Sequence, residues 1–316
     1  MNIGLIDVDG RVIRKKTNHG AFPNLALMKL SAWHKRKGDS VEWCFPFKRY
    51  DRIYASKVFT FTPDIDFVPQ TDELILGGTG YFYPDGGASL PDEIEHIMPD
   101  YSLYGISDTA YGFMSRGCPR GCDFCIVAKK EGRASRKVAD LREFWDGQRN
   151  IELFDPNTLA CPQWEDILGQ LADSGARVNI NQGADIRMMT ERKCEALNRV
   201  NISMIHFAWD GNEDLEPLFR KYGPMLRQKE RNRRVYVLTN FNTTMEWNLH
   251  RIYTLRDCGF DPYVTVFNPD KAPREIKKLQ RWCNNKFVFR SCRFFHDYQN
   301  SDHPAPTPVG GLFTDC

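Results

Sequence analysis

Three cysteines fall within eight residues of one another, Cys118, Cys122 and Cys125, in the run Ser115-Arg116-Gly117-Cys118-Pro119-Arg120-Gly121-Cys122-Asp123-Phe124-Cys125. Thiolates this close in sequence converge on one soft metal centre, and Gly117 and Gly121 give the loop the backbone freedom to wrap it. A lone Cys-x2-Cys is more often half of a zinc site. Zinc normally takes four ligands from two such pairs, however, and the chain has no second Cys-x2-Cys and no nearby His pair. Three ligands instead suit a [4Fe-4S] cluster with one iron left open. The competing reading is a non-catalytic iron-sulfur or zinc protein that uses the loop for structure or redox sensing.

The remaining residues bound what surrounds this loop. The chain has 316 residues, enough for one large or two medium domains with room for a cofactor site. With 43 Lys+Arg against 41 Asp+Glu, its net charge of +2 points to neither nucleic acid nor an anionic membrane. No apolar run approaches the ~20 residues that span a bilayer, and the start has no signal-peptide pattern, so a cytoplasmic protein with no membrane partner is expected. In that reducing compartment the ten cysteines form no disulfide framework, and each is a ligand or a small buried apolar residue. Cys194 and Cys258 fall at core spacing. Cys283 and Cys292, with Cys161, match no ligand spacing for a second cluster, so burial is favoured for them as well.

The elements that must hold the loop follow an alternating rhythm. Strands are expected at residues 2–7, 40–45, 52–59 and 73–77, with a helix at 24–36, which describes a small Rossmann-like α/β domain over residues 1–100. Its connections after the second strand are too short for full helices, and residues 84–99 read as its exit linker. A second rhythm occupies 101–298. Strands at 111–114, 150–154, 177–181, 204–208, 234–238 and 262–267 alternate with helices at 162–174, 190–200, 215–222 and 244–258, which suggests a partial (β/α)6 barrel. Barrels of this kind carry their chemistry at the C-terminal ends of the strands, where the cysteine loop falls. Residues 299–316 lack periodicity and are expected to be irregular.

The Cys-x3-Cys-x2-Cys loop resembles the signature of the radical S-adenosylmethionine (SAM) superfamily, and the resemblance covers most of residues 1–270. It implies a [4Fe-4S] cluster on Cys118, Cys122 and Cys125 whose open iron chelates SAM, and reductive cleavage of SAM to a 5′-deoxyadenosyl radical that acts on an unidentified substrate. Phe124 matches the position that packs near the adenine. The 1–100 region is similar to the cobalamin-binding domain of one radical SAM subgroup. It lacks the Asp-x-His-x-x-Gly run, which favours a vestigial domain without cobalamin over one that binds it. Glu152-Leu153-Phe154-Asp155-Pro156-Asn157 resembles the Asp-rich strand end that meets the SAM amino group, with Asp155 and Asn157 the candidates. Asn181-Gln182-Gly183-Ala184-Asp185-Ile186-Arg187 resembles the segment over the ribose and carboxylate, with Gln182, Asp185 and Arg187 the candidates. Asp210 stands where the family often has a Glu-Ser pair, and Asn240 ends a later strand beside adenine or substrate. Asp and Asn after strands are also common helix N-caps, and Thr190 fits that role.

Basic runs at 34–37, 129–137 and 227–234 are solvated faces by default. The second lies near the loop, where it would attract a phosphate-bearing substrate or an acidic electron donor such as flavodoxin or ferredoxin. Trp247, Tyr253, Trp282, Phe294, Phe295 and Tyr298 could stack on bases but sit at core spacing, so a nucleic acid partner is not favoured. The methylthiotransferase type is also disfavoured, because the N-terminal region has Cys44 alone where that family carries three cluster cysteines.

Overall fold

The computed structural model describes residues 1–10 and 22–298, and the irregular stretch expected at 299–316 lies outside them. Two parallel sheets organise the chain. The first has the order β2-β1-β3-β4, built from β1 (Asn2–Asp7), β2 (Ser40–Trp43), β3 (Arg49–Ser56) and β4 (Gln70–Gly77). Helix α1 (Leu25–Arg36) makes the crossover from β1 to β2, and its N-cap Asn24 accepts a hydrogen bond from the Leu27 N–H at 3.2 Å. The alternation of Ile3 and Leu5 against Leu27 and Leu30 buries one side of this sheet under α1. As the short connections foretell, no helix separates β2 from β3 or β3 from β4.

The second sheet has six strands in the order β12-β11-β10-β9-β8-β5: β5 (Thr109–Gly112), β8 (Asn150–Leu153), β9 (Arg177–Ala184), β10 (Ile202–Ala208), β11 (Arg233–Thr239) and β12 (Asp261–Val266). Every neighbouring pair is parallel. Strands added one after another in the same direction, with right-handed crossovers, put all their helices on one face. The core agrees with that expectation. Ile151, Leu153, Val178, Ile180, Ile205, Phe207, Val235, Val237, Val264 and Val266 form one apolar cluster with residues of four helices. These are α2 (Trp164–Asp173), α3 (Glu191–Arg199), α4 (Glu216–Tyr222) and α5 (Met245–Asp257). A further helix, α6 (Arg274–Asn284), adds Ile276, Leu279, Trp282 and Cys283 to the same cluster.

The segment expected as one strand at 111–114 is divided. β5 stops at Gly112, and after two residues the chain enters a short antiparallel ribbon of β6 (Ser115–Arg116) and β7 (Arg136–Lys137). The cysteine loop spans the gap between these two strands. The segment around residues 92–104 packs back on α1 and β2, with Asp100 accepting from Ser31 and Lys35 at 2.6 Å each and Leu103 O accepting from the Trp43 indole at 3.1 Å. No helix among the described residues is long and apolar enough to cross a membrane.

Candidate active site at the cysteine loop

Cys118, Cys122 and Cys125 are all partly exposed, at the C-terminal end of β5. The loop that carries them turns on two glycines with left-handed backbone. Gly117 has φ +85°, and a Cβ there would lie 2.2 Å from Ala134 O; Gly121 has φ +58°, and its Cβ would lie 2.9 Å from the Arg133 guanidinium. Two carboxylates clamp the base of the loop. Glu131 accepts from the Gly117 N–H and from Arg116, at 3.0 Å each. Asp155, fully buried, accepts from the Met114 N–H (2.7 Å), the Ser115 N–H (2.8 Å), Ser115 Oγ (2.5 Å) and Thr158 Oγ1 (3.4 Å).

These contacts revise the reading of Asp155. Both of its oxygens serve the loop, so it positions the cysteines and is not free to meet a ligand. Asn157 is also buried, and its amide donates to Cys118 Sγ at 3.6 Å while its Oδ1 has no hydrogen-bond partner. Burial pushes the Cys122 thiol pKa up, with Asp210 and Cys118 adding to that effect and Arg187 and Arg120 opposing it. A cation bound beside Cys122 would offset that burial and favour its thiolate. Among the described residues only Asp214, Glu216 and His250 bring three possible ligand atoms within 4.8 Å of one another, and Glu216 there already pairs with Arg220.

The other strand ends close around the loop. Arg187 pairs with Asp185 (2.6 Å) and Glu213 (2.8 Å), and Arg120 reaches from the loop to the same two acids at 3.3 and 3.5 Å. Asp185, Arg187, Glu213 and Arg120 thus make a charge-balanced quartet that ties the loop to the end of β9. Gln182 lies half-buried in an irregular stretch of β9 where the register with β10 shifts. Lys193, on α3, holds the strand-end turns from below by donating to Leu159 O and Met188 O at 2.8 Å each. Asp210 accepts from the Leu238 N–H at 3.1 Å, and burial pushes its pKa up to about 6 against the opposing pull of Arg251 and Arg187.

Asn240, Asn242 and Asn268 all adopt left-handed backbone (φ +63°, +53° and +48°) at the ends of β11 and β12. Asn tolerates this region better than most residues, and such strain collects at functional sites. Asn240 donates to Phe267 O at 2.7 Å, which sets Phe241 between Phe124 (ring centroids 5.4 Å) and Phe267 (4.9 Å). An aromatic file therefore links the cysteine loop to the last two strands.

The sequence reading missed the open face of the sheet. On the side away from the helices the strands present Tyr111, Glu152, Asn179, Asn181, His206 and Tyr236. In register, Tyr111 faces Glu152 and Glu152 faces Asn179. Asn179 donates to Glu152 Oε2 at 2.7 Å and Asn181 to the same oxygen at 3.3 Å. His206 Nδ1–H donates to Ile180 O at 2.9 Å, and its ring stacks on Tyr236 at 5.2 Å. Parallel sheets are normally covered on both faces. Polar side chains alternating with the apolar core positions of five strands were the available signal.

Burial pushes Glu152 up to about 7, with Asn179 opposing, and draws His206 down to about 4, with the Ile180 carbonyl opposing, Arg234 adding and Asp261 opposing. Their effects on stability have opposite signs. Glu152 keeps its proton in the folded state over a range where the unfolded chain has lost it, so its contribution falls as pH rises from about 4.5 to about 7. His206 resists a proton that the unfolded chain accepts, so its contribution falls as pH drops from about 6.5 to about 4. In urea titrations, stability of Glu152→Gln relative to wild type should rise by about 2–3 kcal/mol between pH 4.5 and 7.5. For His206→Asn, the corresponding difference should rise as pH falls from 6.5 to 4. Flat differences would mean that neither group is desolvated as described.

The basic run beside the loop, the isolated cysteines and Thr190 all take structural roles. Lys137 pairs with Asp140 and Asp166, Arg116 with Glu131, and Arg136 donates to Glu131 O, so much of the basic run beside the loop is neutralised or spent on structure. Cys194 and Cys283 are buried in the core, and Cys283 and Cys292 each donate to a backbone carbonyl, of Pro262 and Phe294. Thr190 caps α3 by accepting from the Lys193 N–H at 3.2 Å.

At the C-terminal edge of the first sheet a cavity of about 350 Å3 is lined by Leu5, Ile6, Asp7, Gly10, Trp43, Cys44, Phe67 and Tyr104. None of these lining residues is a histidine, and Asp7 already accepts from Tyr104 (2.7 Å) and the Gly10 N–H (3.0 Å).

Two solved structures of the radical SAM methyltransferase TsrM from Kitasatospora setae are similar to this chain. One contains cobalamin and a [4Fe-4S] cluster, the other tryptophan and the SAM analogue aza-SAM. Each is 12% identical with a TM-score of 0.40; they cover 91% and 90% of this chain, and 73% and 70% of their own chains are matched. No family model and no curated protein matches the sequence.

Proposed function

We propose that this chain is a radical SAM enzyme that holds a [4Fe-4S] cluster on Cys118, Cys122 and Cys125. The observation that carries the reading is the loop itself. Three partly exposed thiols sit on a glycine-shaped turn at the end of a parallel strand, clamped by Asp155 and Glu131. When bound, the cluster supplies the electron, taken from a flavodoxin- or ferredoxin-type donor, that cleaves SAM to methionine and a 5′-deoxyadenosyl radical. The chain's own residues orient the cofactor. The quartet around Arg187 fixes the loop against the end of β9, the file Phe124-Phe241-Phe267 offers an aromatic slot for a base, and Gln182 adds a polar group.

The test is anaerobic reconstitution with iron and sulfide, followed by dithionite and SAM. Wild type should form 5′-deoxyadenosine, and the Cys118→Ala, Cys122→Ala, Cys125→Ala triple variant should bind no cluster and form none. Wild type that binds iron but never yields 5′-deoxyadenosine would place the loop among non-catalytic iron-sulfur sites.

A further inference from the structure

We infer that the substrate of this site carries a protonated nitrogen, an amine, amidine or guanidinium, and that Glu152 on the open face of the six-stranded sheet selects it; this rests on the site reading given above. The argument turns on charge pairing. Asp185 is held by Arg120 and Arg187, and Asp261 by Lys286 (2.7 Å) and Arg234 (3.4 Å). Asp210 lies in the field of Arg251 and Arg187, and Asp155 is saturated by four neutral donors. Glu152 differs from all of them. It is half-buried, receives only the two asparagine amides on Oε2, and forms no ion pair among the described residues.

A carboxylate drawn from water without a cation is costly, and a ligand cation seated against Oε1 removes that cost. Its surroundings have the same preference. Asn179 Oδ1 is buried without a donor, and His206, whose Nδ1–H is spent on Ile180 O, presents Nε2 as an acceptor. Tyr111 beside Glu152, and Tyr236 stacked on His206, supply the aromatic faces that cations prefer. Anions find no comparable partner, because Arg120 and Arg187 at the rim are both committed to Asp185 and Glu213. This replaces the phosphate-bearing substrate suggested by the basic run near the loop.

The test uses the full chain without SAM or cluster, titrated with benzamidine and with benzoate as matched cationic and anionic probes, and read by NMR chemical shifts. Wild type should bind benzamidine and not benzoate. Glu152→Gln should weaken benzamidine by at least about tenfold, and Glu152→Asp should recover part of the loss, which separates charge from folding. Benzoate binding as tightly as benzamidine, undiminished binding in Glu152→Gln, or benzamidine affinity in wild type weaker than about 10 mM would each overturn the assignment. Because no cluster or SAM is present, this result stands apart from 5′-deoxyadenosine formation, and either can fail without the other.

Discussion

Arg251→Met is expected to lower the unfolding free energy by about 3–5 kcal/mol, a loss measured by urea denaturation at pH 7. Arg251 is 0% exposed, and among the described residues it forms no ion pair. Its guanidinium instead donates to Trp209 O (2.5 Å), Leu238 O (2.9 Å) and Asn248 Oδ1 (2.5 Å), so it joins the end of β10, the end of β11 and helix α5. Burial draws its pKa down to about 10, with Asp210 opposing, and the group remains charged at pH 7. Methionine keeps much of the volume but leaves these acceptors unmet and takes from Asp210 the nearby cation that stabilises its charge. Asp210 then holds its proton at still higher pH, which alters the field at Cys122. Arg251→Lys, which retains the charge but not the fork of donors, should fall between the two. A loss below about 1 kcal/mol for Arg251→Met would show that the buried cation is not what fixes these strand ends.

What could be read from the sequence divides along a physical line. Asn24, Thr190 and Thr244 stand before amphipathic runs, and each accepts from a backbone N–H of its helix as an N-cap does. Period and capping are local, so they survive in one dimension. The strand-end residues are different, because an aspartate after a strand looks the same whether it faces a ligand or the chain. Asp155 proved to be turned inward only because β5 and β8 are register partners, which brings Met114 and Ser115 over it. Glu152 was passed over for the same reason. Its meaning depends on Asn179, 27 residues away, and on a sheet face left without helices, neither of which spacing can reveal. Helix α6 buries Ile276, Leu279, Trp282 and Cys283 on one side but starts after Pro273 without a side-chain N-cap, so its period lacks the local start signal that marks α1, α3 and α5.

Asp155→Asn should reduce the iron bound per chain on reconstitution by more than about half and lower the thermal midpoint by roughly 6–10 °C, with all three cysteines intact. Asparagine fits the space but not the chemistry. Asp155 Oδ1 accepts from the Met114 N–H and Oδ2 from the Ser115 N–H, so two backbone donors point at the two oxygens. Whichever way the amide is turned, its NH2 meets one of those N–H groups and leaves it buried without an acceptor, a loss of about 3 kcal/mol. Although burial raises the Asp155 pKa to about 6, the carboxylate is mostly ionised at pH 7, so the charge-assisted bonds are those that act under assay conditions. Met114 and Ser115 stand four and three residues before Cys118, and a shift of that backbone carries the first thiol away from the other two. Iron content and its absorbance therefore separate this variant from one that is merely less stable. Lys193→Met, which weakens the neighbouring strand-end turns without touching the loop, should cost stability while leaving iron per folded chain unchanged. Equal iron in Asp155→Asn and wild type would mean that the loop holds its shape without the clamp, and that the cysteines are placed by Gly117, Gly121 and Glu131 alone.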